Sequence, residues 1–469
     1  MTDDIALMPA TDLLRRYRDG SLSPVEATKA ALARIDKHNP TLNAFNLVDH
    51  EGALAEAAES EERWRLDVPR GRLDGVPVSI KDIVLTKGWP TLRGSKATDP
   101  DQDWSEDAPS VARLREHGAV LLGKTTTPEF GWKGVTDSPL TGITRNPWNP
   151  DCTPGGSSGG ASAAVAAGMG ALAIGTDGGG SIRIPAAFTG IVGHKPSFGR
   201  VPAHPLSPFG TVAHVGPMTR AVADAALMLT VIAEPDARDW YALPSEQADY
   251  AQGLDGNLDG FKIAFSPTLG GHLVDPEIAA LVATAAGKFA DLGAAVEEAE
   301  PQLPDCEEPF RILWFAAAAN LLRRYSEEQR ALMDPGLRDM AAEGAGYSLS
   351  EYLDAVSARE AIGVAMCRFH DDYDLLLTPS LPLAAFEAGL EQPAAVDAEG
   401  GDERWVDWTP FSYPFNLTQQ PAASVPCGLT KAGLPAGLQI VGPRYADALV
   451  LRAAEAFERA SPFPMPRLG

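Results

Sequence analysis

The sequence predicts an α/β layered fold, on three observations. Short apolar runs suited to strands alternate with segments of helical periodicity. Capping signals and glycine stops bracket several of the helical segments. The chain has 469 residues, 45% hydrophobic and 22% charged, which is ordinary globular composition at a length that can bury a large core.

In chain order, "DLLRRYRD" is the first helix, with Thr11 as its expected N-cap and Gly20 as its stop. Ser23-Pro24-Val25-Glu26 is a capping box with proline in the first turn, and Val25, Leu32 and Ile35 line one face of the helix that follows. "VPVSIKDIVL" reads as a strand running into a loop, and "APSVARLREHGAVLLGKT" as a helix, a glycine stop and the buried strand "AVLL". The Ala-rich run after Gly160 is a helix. Asp275-Pro276 starts another, with Ile278, Leu281, Val282, Ala285, Phe289 and Leu292 at helical spacing and Gly293 at its end, between the strands "FKIAFS" and "AAVEEAE". The strand "GLQIVG" precedes the helix "ADALVLRAAEAFERA", and Phe386 to Trp405 reads as a loop.

A net charge of −24 argues against nucleic acid and anionic membrane surfaces as partners, since both need positive patches. Cys152, Cys306, Cys367 and Cys427 are scattered, without metal-binding spacing, which fits a reduced, cytoplasmic setting without disulfides. The N-terminus is acidic and then amphipathic, unlike a signal peptide. The longest weakly apolar run, Ala161 to Gly175, is short for a membrane span and built of Ala and Gly.

Two motif matches fail on context. "GAVLLGKT", Gly118 to Thr125, fits the letters of a phosphate-binding loop, but its middle residues are those of a buried strand, whereas phosphate binding needs them in a loop. "GGSSG" fits a nucleophile elbow through Ser157, but the lead-in "NPWNPDCTP" forms turns and cannot be the central strand an elbow requires. His194, His204, His214, His272 and His370 are the downstream histidines for such a triad, and none has a telling context.

Three segments remain: "SIKD" with Lys81 at the end of an apolar strand, "TPGGSSGG" with Ser157, and "GTDGGGSIRIPA" with Ser181. Each glycine run leads straight into an apolar segment, which flexible loops seldom do. Together they offer a serine nucleophile, a second serine and a lysine base. This ordered set resembles the amidase signature family of serine amidohydrolases. The resemblance extends from about Leu73 to Leu229 and returns in "PFSYPFNLTQQPAASVPCG" and "GLPAGLQIVGP".

The resemblance implies a single α/β/α domain around a large, twisted, mixed sheet covered by helices. On this chain that would give N-terminal helices over 1–70, a catalytic core over 71–230, a helical elaboration over 235–370 and a return to the core over 371–469. It also implies a triad of Ser181 as nucleophile, Ser157 as bridging serine behind a cis peptide Gly156–Ser157, and Lys81 as base. Gly178, Gly179 and Gly180, with the N–H of Ser181, would form the oxyanion hole, and Ser158, Asp177 and Arg183 would hold the two loops together. Where many relatives carry a bulkier residue, Gly178 is expected to widen the site.

Physical chemistry supports these roles. A serine hydroxyl is a poor nucleophile until a base takes its proton. Lysine can be that base only when neutral, so burial must lower its pKa, and Asp82 must point elsewhere. A serine between them can accept from one side while donating to the other. Bare glycine backbone lets N–H groups converge where the tetrahedral oxyanion develops, each donor typically worth about 3–4 kcal/mol of barrier.

The expected function is amidase chemistry: hydrolysis of a C–N acyl bond through an acyl-enzyme on Ser181, with aryl amides and carbamates among the candidate substrates. No metal or organic cofactor is required. The partners are a small-molecule amide and water, with a homodimer as an open assembly. Trp132, Trp314, Phe315, Phe411 and Tyr413 are candidate pocket aromatics, and few basic residues fall in the pocket segments, which favours uncharged, partly apolar substrates. One alternative is the glutaminase-type component of a tRNA-dependent amidotransferase, against which "GGGS" stands where that component usually has "TGGS". The other is a non-catalytic binding protein on the same fold.

Overall fold

The structure is a computed structural model and describes residues 5–244, 248–393 and 404–468. Its strands in chain order are β1 (Phe45–Val48), β2 (Pro77–Lys81), β3 (Val120–Thr125), β4 (Asp137–Ser138), β5 (Gly142–Ile143), β6 (Leu172–Asp177) and β7 (Val192–Lys195). They continue as β8 (His214–Thr219), β9 (Lys262–Phe265), β10 (Ala295–Glu298), β11 (Leu375–Pro379), β12 (Ala422–Leu429) and β13 (Pro435–Val441). Among the described residues eleven of them form one mixed sheet, in the order β1-β3-β2-β6-β8-β7-β12-β13-β11-β9-β10, and β4 and β5 pair separately. β2 runs parallel to β3 and β6, and β9 parallel to β10 and β11. The strands β9 and β10, which lie within 235–370, thus extend the same sheet.

Strands buried on both faces read as continuous apolar runs, and their alternation assigns each residue to a layer. Val78, Ile80, Leu172 and Ile174 join one apolar cluster with the helices Val222–Ile232, Pro276–Asp291 and Asp447–Ala460. Ala173 joins the opposite layer with Ala161, Val165 and Ala166 of the helix Gly159–Ala166. A further cluster, rich in aromatics, fills the space under the helices Glu307–Leu322 and Pro335–Gly344. Among the described residues no helix is long and apolar enough to cross a membrane. The four cysteines are unpaired.

The helix expected after Ser23 forms with a complete capping box and with Leu32 and Ile35 buried. Asp275 caps the helix Pro276–Asp291 by accepting from the N–H groups of Glu277 and Ile278. The first helix differs from expectation. It begins at Ala10, and the N–H groups of Ala10 and Thr11 donate to the Asp224 carboxylate at 2.7 and 2.9 Å. Thr11 is inside the helix, because a carboxylate more than two hundred residues away supplies the acceptor that a local side chain would otherwise provide. Of the loop expected over Phe386 to Trp405, residues 394–403 lie outside the described residues, and Glu387 makes an isolated bridge to Cys152.

Candidate active site

β2 and β6 are parallel neighbours, so Lys81 and Asp177, the last residue of each, stand at the same end of the sheet. Ligand sites in parallel sheets gather at such carboxyl ends. Val78 and Ile80 face the apolar core, so alternation turns Ser79 and Lys81 to the other layer, where the helix Gly159–Ala166 begins. The loop entering that helix carries Ser157 and Ser158 behind a cis peptide between Gly156 and Ser157.

Lys81 is fully buried. Its Nζ lies 2.7 Å from Ser157 Oγ, 2.9 Å from Ser158 Oγ and 2.9 Å from Thr176 Oγ1. Burial drives its pKa well below the ordinary lysine value, and the charge of Asp177 opposes this only in part. The Ser158 hydroxyl donates to the Thr176 carbonyl at 3.1 Å, so it can only accept from Lys81. A neutral amine has two hydrogens and one lone pair. With Ser158 and Thr176 taking the hydrogens, the lone pair is left for the hydroxyl of Ser157.

Asp82 does point elsewhere. Its carboxylate accepts from Asn46 Nδ2 at 2.8 Å and from the Leu92 N–H at 3.2 Å, and sits 3.9 Å from Lys124. Burial pushes its pKa up to about 6 and that of Lys124 down to about 8. Lys124, the lysine of the phosphate-loop look-alike, donates to the Val84 carbonyl at 2.6 Å and to Thr86 and Thr91 hydroxyls. It lies in β3 and ties down the loop that follows Lys81, leaving no phosphate cradle there.

The two glycine-rich loops meet. The Ser158 N–H donates to the Ser181 carbonyl at 3.2 Å. Ser157 and Ser181 line the same cavity, together with Thr176, Asp177 and Gly178. Asp177 and Arg183 are both fully buried and pair through two contacts of 3.0 Å. Burial alone would raise the Asp177 pKa, but the Arg183 charge and hydrogen bonds outweigh it and hold the carboxyl well below the usual range. Arg183 also donates to the Ser412 carbonyl, Gln439 Oε1 and Asn416 Oδ1. The expected oxyanion set needs one correction. The Gly180 N–H is committed to Asp177 Oδ1 at 2.8 Å, which takes it out of the expected set of Gly178, Gly179, Gly180 and Ser181.

The cavity has a volume of about 620 Å³. Of the five expected pocket aromatics only Trp314 lines it. Trp132 is buried beneath Lys133, Phe315 is packed between Arg311 and Arg404, Tyr413 stacks on Phe310, and Phe411 belongs to a separate cluster. Nor does Gly178 widen the site: the Trp314 ring packs over it, so that an added Cβ would meet Cζ3 at 2.7 Å. Trp314 is fixed by a bond from Nε1 to the Trp132 carbonyl at 3.1 Å and by stacking on Phe209, with centroids 3.8 Å apart.

Sequence reasoning missed Phe130, Phe209 and Tyr325, which form much of the apolar wall, and Arg93 and Arg324, two arginines that line the same cavity. The sequence signal for Phe130 was its place two positions before Trp132 in "EFGWKG". Of the five histidines, His204 and His214 reach the cavity. His214 Nδ1 is bonded to the Val212 carbonyl at 2.8 Å, and burial drives its pKa well below the ordinary histidine value.

A model of the family described as Amidase matches residues 26–451. An acylamidase of Rhodococcus erythropolis is 39% identical, over 97% of this chain and 96% of that protein. The A-type component of the glutamyl-tRNA(Gln) amidotransferase of Myxococcus xanthus is 38% identical, over 96% of this chain and 97% of that protein. The crystal structure of a bacterial aryl acylamidase of the amidase signature family superposes with a TM-score of 0.89 at 33% identity, covering 97% of this chain and 96% of that one.

Proposed function

This chain belongs to the amidase family and is an amide-hydrolysing enzyme, and from that premise we propose that it works through Ser181 as nucleophile, Ser157 as proton bridge and Lys81 as base. The observation that carries the reading is the Lys81 amine, buried with three hydroxyl oxygens within 2.9 Å and, among the described residues, no carboxylate bonded to it. In the acylation step Lys81 Nζ takes the Ser157 proton while Ser157 takes that of Ser181, and Ser181 Oγ attacks the amide carbon. The N–H groups of Gly178, Gly179 and Ser181 hold the oxyanion. The proton returns through Ser157 to the nitrogen of the leaving amine as the C–N bond breaks. Water then attacks the ester by the same relay, releasing the carboxylic acid and restoring Ser181.

The apolar walls of Ile83, Phe130, Phe209, Trp314 and Tyr325 suit a partly apolar acyl or aryl group. The relative from Rhodococcus erythropolis, an acylamidase, supports the same class. The enzyme acts without a metal or organic cofactor, in the cytoplasm and away from nucleic acid, in keeping with a net charge of −24 and four unpaired cysteines. Light scattering tests whether it assembles as a homodimer.

The experiment is turnover of a panel of anilides and alkyl amides by the purified chain, with fluorophosphonate labelling to locate the activated serine. Hydrolysis of anilides with the label on Ser181 is expected; a label on another residue would remove the triad. The second reading, the glutaminase-type component of an amidotransferase, draws on the relative from Myxococcus xanthus. It predicts glutamine as the preferred substrate, against which the purified chain is measured in the same panel.

A further inference from the structure

The proposed reaction gives no task to Arg93. Arg93 lines the cavity that holds Ser157 and Ser181. Its backbone sits in the left-handed region at φ 56°, pinned from both sides by the bond from its N–H to the Asp82 carbonyl at 2.9 Å and from the Phe130 N–H to its own carbonyl at 2.8 Å. A non-glycine residue adopts that backbone only where the surroundings enforce it, which fixes where the side chain leaves the chain. The residue after Phe130 is close to the triad: a Cβ on Gly131 would lie 3.1 Å from Ser157 Oγ.

A guanidinium carries five N–H donors. Among the described residues that of Arg93 makes one hydrogen bond, at 3.4 Å to the Thr91 carbonyl, and no ion pair within 4 Å. Burial is the main influence on its titration and disfavours its charge. Three carboxylates nearby are engaged elsewhere, and a fourth, Glu129, lies outside the cavity lining and accepts from the Asp334 N–H through one oxygen. Asp82 serves Asn46, Leu92 and Lys124; Asp177 serves Arg183; Asp239 accepts from the N–H groups of Ala203 and Tyr241. Arg324, exposed on the same cavity, adds a second positive charge. A chain of net charge −24 thus lines the cavity that holds Ser181 with two arginines, with no free carboxylate among the described lining residues to balance them. A partly buried cation with open donors is stabilised by an anion that brings its own pair of acceptors, and the fork of arginine matches a carboxylate.

We propose that Arg93 binds a carboxylate of the substrate, so that this enzyme favours amides bearing a carboxylate beyond the scissile bond over neutral amides of the same shape. The inference rests on the proposed catalytic reading for the place of the scissile bond. The carboxylate draws the substrate in through the positive mouth at Arg324 and is held by Arg93, while the aromatic wall takes the apolar part.

Two matched pairs test this: butyranilide against the monoanilide of succinate, with the charge on the acyl part, and acetanilide against 4-acetamidobenzoate, with the charge on the amine part. At least one carboxylate member is expected to have a kcat/KM about 10- to 100-fold above its neutral partner, through KM, as charge-assisted hydrogen bonds of this kind give. Arg93→Gln should bring that ratio to about one, and Arg93→Lys should restore part of it. Calorimetric titration of the same four compounds into Ser181→Ala reads the discrimination without turnover. Failure of all four to be hydrolysed would count against the catalytic reading while leaving the binding comparison intact. Equal affinity within both pairs, tighter binding of both neutral members, or a carboxylate preference that survives Arg93→Gln would overturn the proposal.

Discussion

A Cβ on Gly178 would sit 2.7 Å from Cζ3 of Trp314, closer than packed carbon atoms approach. The glycine and the indole are therefore one fitted pair, and the room that a bare backbone leaves beside Ser181 is occupied from the helix Glu307–Leu322. Gly178→Ala should lower kcat/KM by about tenfold or more, because either the ring or the oxyanion donor must shift. In a Trp314→Leu background the same alanine should cost little. A double-mutant cycle measures the coupling, and additive effects would separate the two residues.

Ser181→Ala should remove turnover while leaving the melting temperature near that of wild type, since a single hydroxyl facing a cavity is lost. Ser157→Ala should slow turnover by orders of magnitude, because Lys81 then has no bridge to the nucleophile. Steady-state rates with an anilide and a thermal melt decide both. Near wild-type turnover in Ser181→Ala would transfer the nucleophile to another serine.

The pH dependence follows from the direction of the Lys81 shift. Its pKa is lowered, so the neutral base becomes populated as pH rises through a value well below the usual 10.5. The kcat/KM profile should show a rising limb there, with best activity at neutral to alkaline pH. Lys81→Ala and Lys81→Arg should both lose the limb and the activity, since guanidinium stays protonated in this range. An active Lys81→Arg enzyme with an unchanged profile would rule out the lysine base.

Asp177 and Arg183 contribute to stability in a pH-dependent way. The folded-state pKa of Asp177 lies below its unfolded value, so the pair's contribution is present above about pH 4 and is lost as pH falls through and below that value. Asp177→Asn should cost about 3–5 kcal/mol at neutral pH, as removal of one partner from a buried pair does. Urea unfolding at pH 7 and in acid should show the mutant's deficit shrinking as pH drops. A deficit that stays constant would assign the loss to packing.

Lys124→Met should lower the melting temperature, because it unhooks the loop held at Val84, Thr86 and Thr91 and leaves Asp82 without its cation. MgATP should leave the melting temperature of the wild type unchanged. A rise with MgATP would reopen the phosphate-loop match.

The elements that were legible in the sequence are those fixed by local rules. The capping box at Ser23, the proline start after Asp275 and the apolar runs of β2, β3 and β13 all formed where their residues indicated. That Lys81, Ser157 and Ser181 come together was legible because they sit in or beside glycine-rich loops that lead straight into apolar segments. What was not legible depends on distant partners. Thr11 lost its capping role to Asp224, and the Gly180 N–H went to Asp177. Pocket aromatics could not be sorted from core aromatics, since Phe209 and Tyr413 both lie among other rings and only the folded chain decides which of them faces open space. Arg93 gave no signal, because one arginine in a polar loop looks like any surface cation until the cavity is closed around it.

The order of strands has a bearing on when activity arises during synthesis. β12 and β13, from residues 422–441, lie in the middle of the sheet, between β7 on one side and β11 on the other. Arg183 reaches across to Ser412, Asn416 and Gln439 at the same junction. A ribosome-bound chain exposed through β11 but not yet through β12 therefore holds two partial sheets with open edges and a Ser181 loop whose guanidinium anchor still lacks three of its acceptors. Nascent chains stalled before residue 412 should be inert toward a serine-reactive probe and dependent on chaperones to shield those edges. Reactivity would switch on over a short stretch of translation, once the central hairpin leaves the exit tunnel and joins the halves.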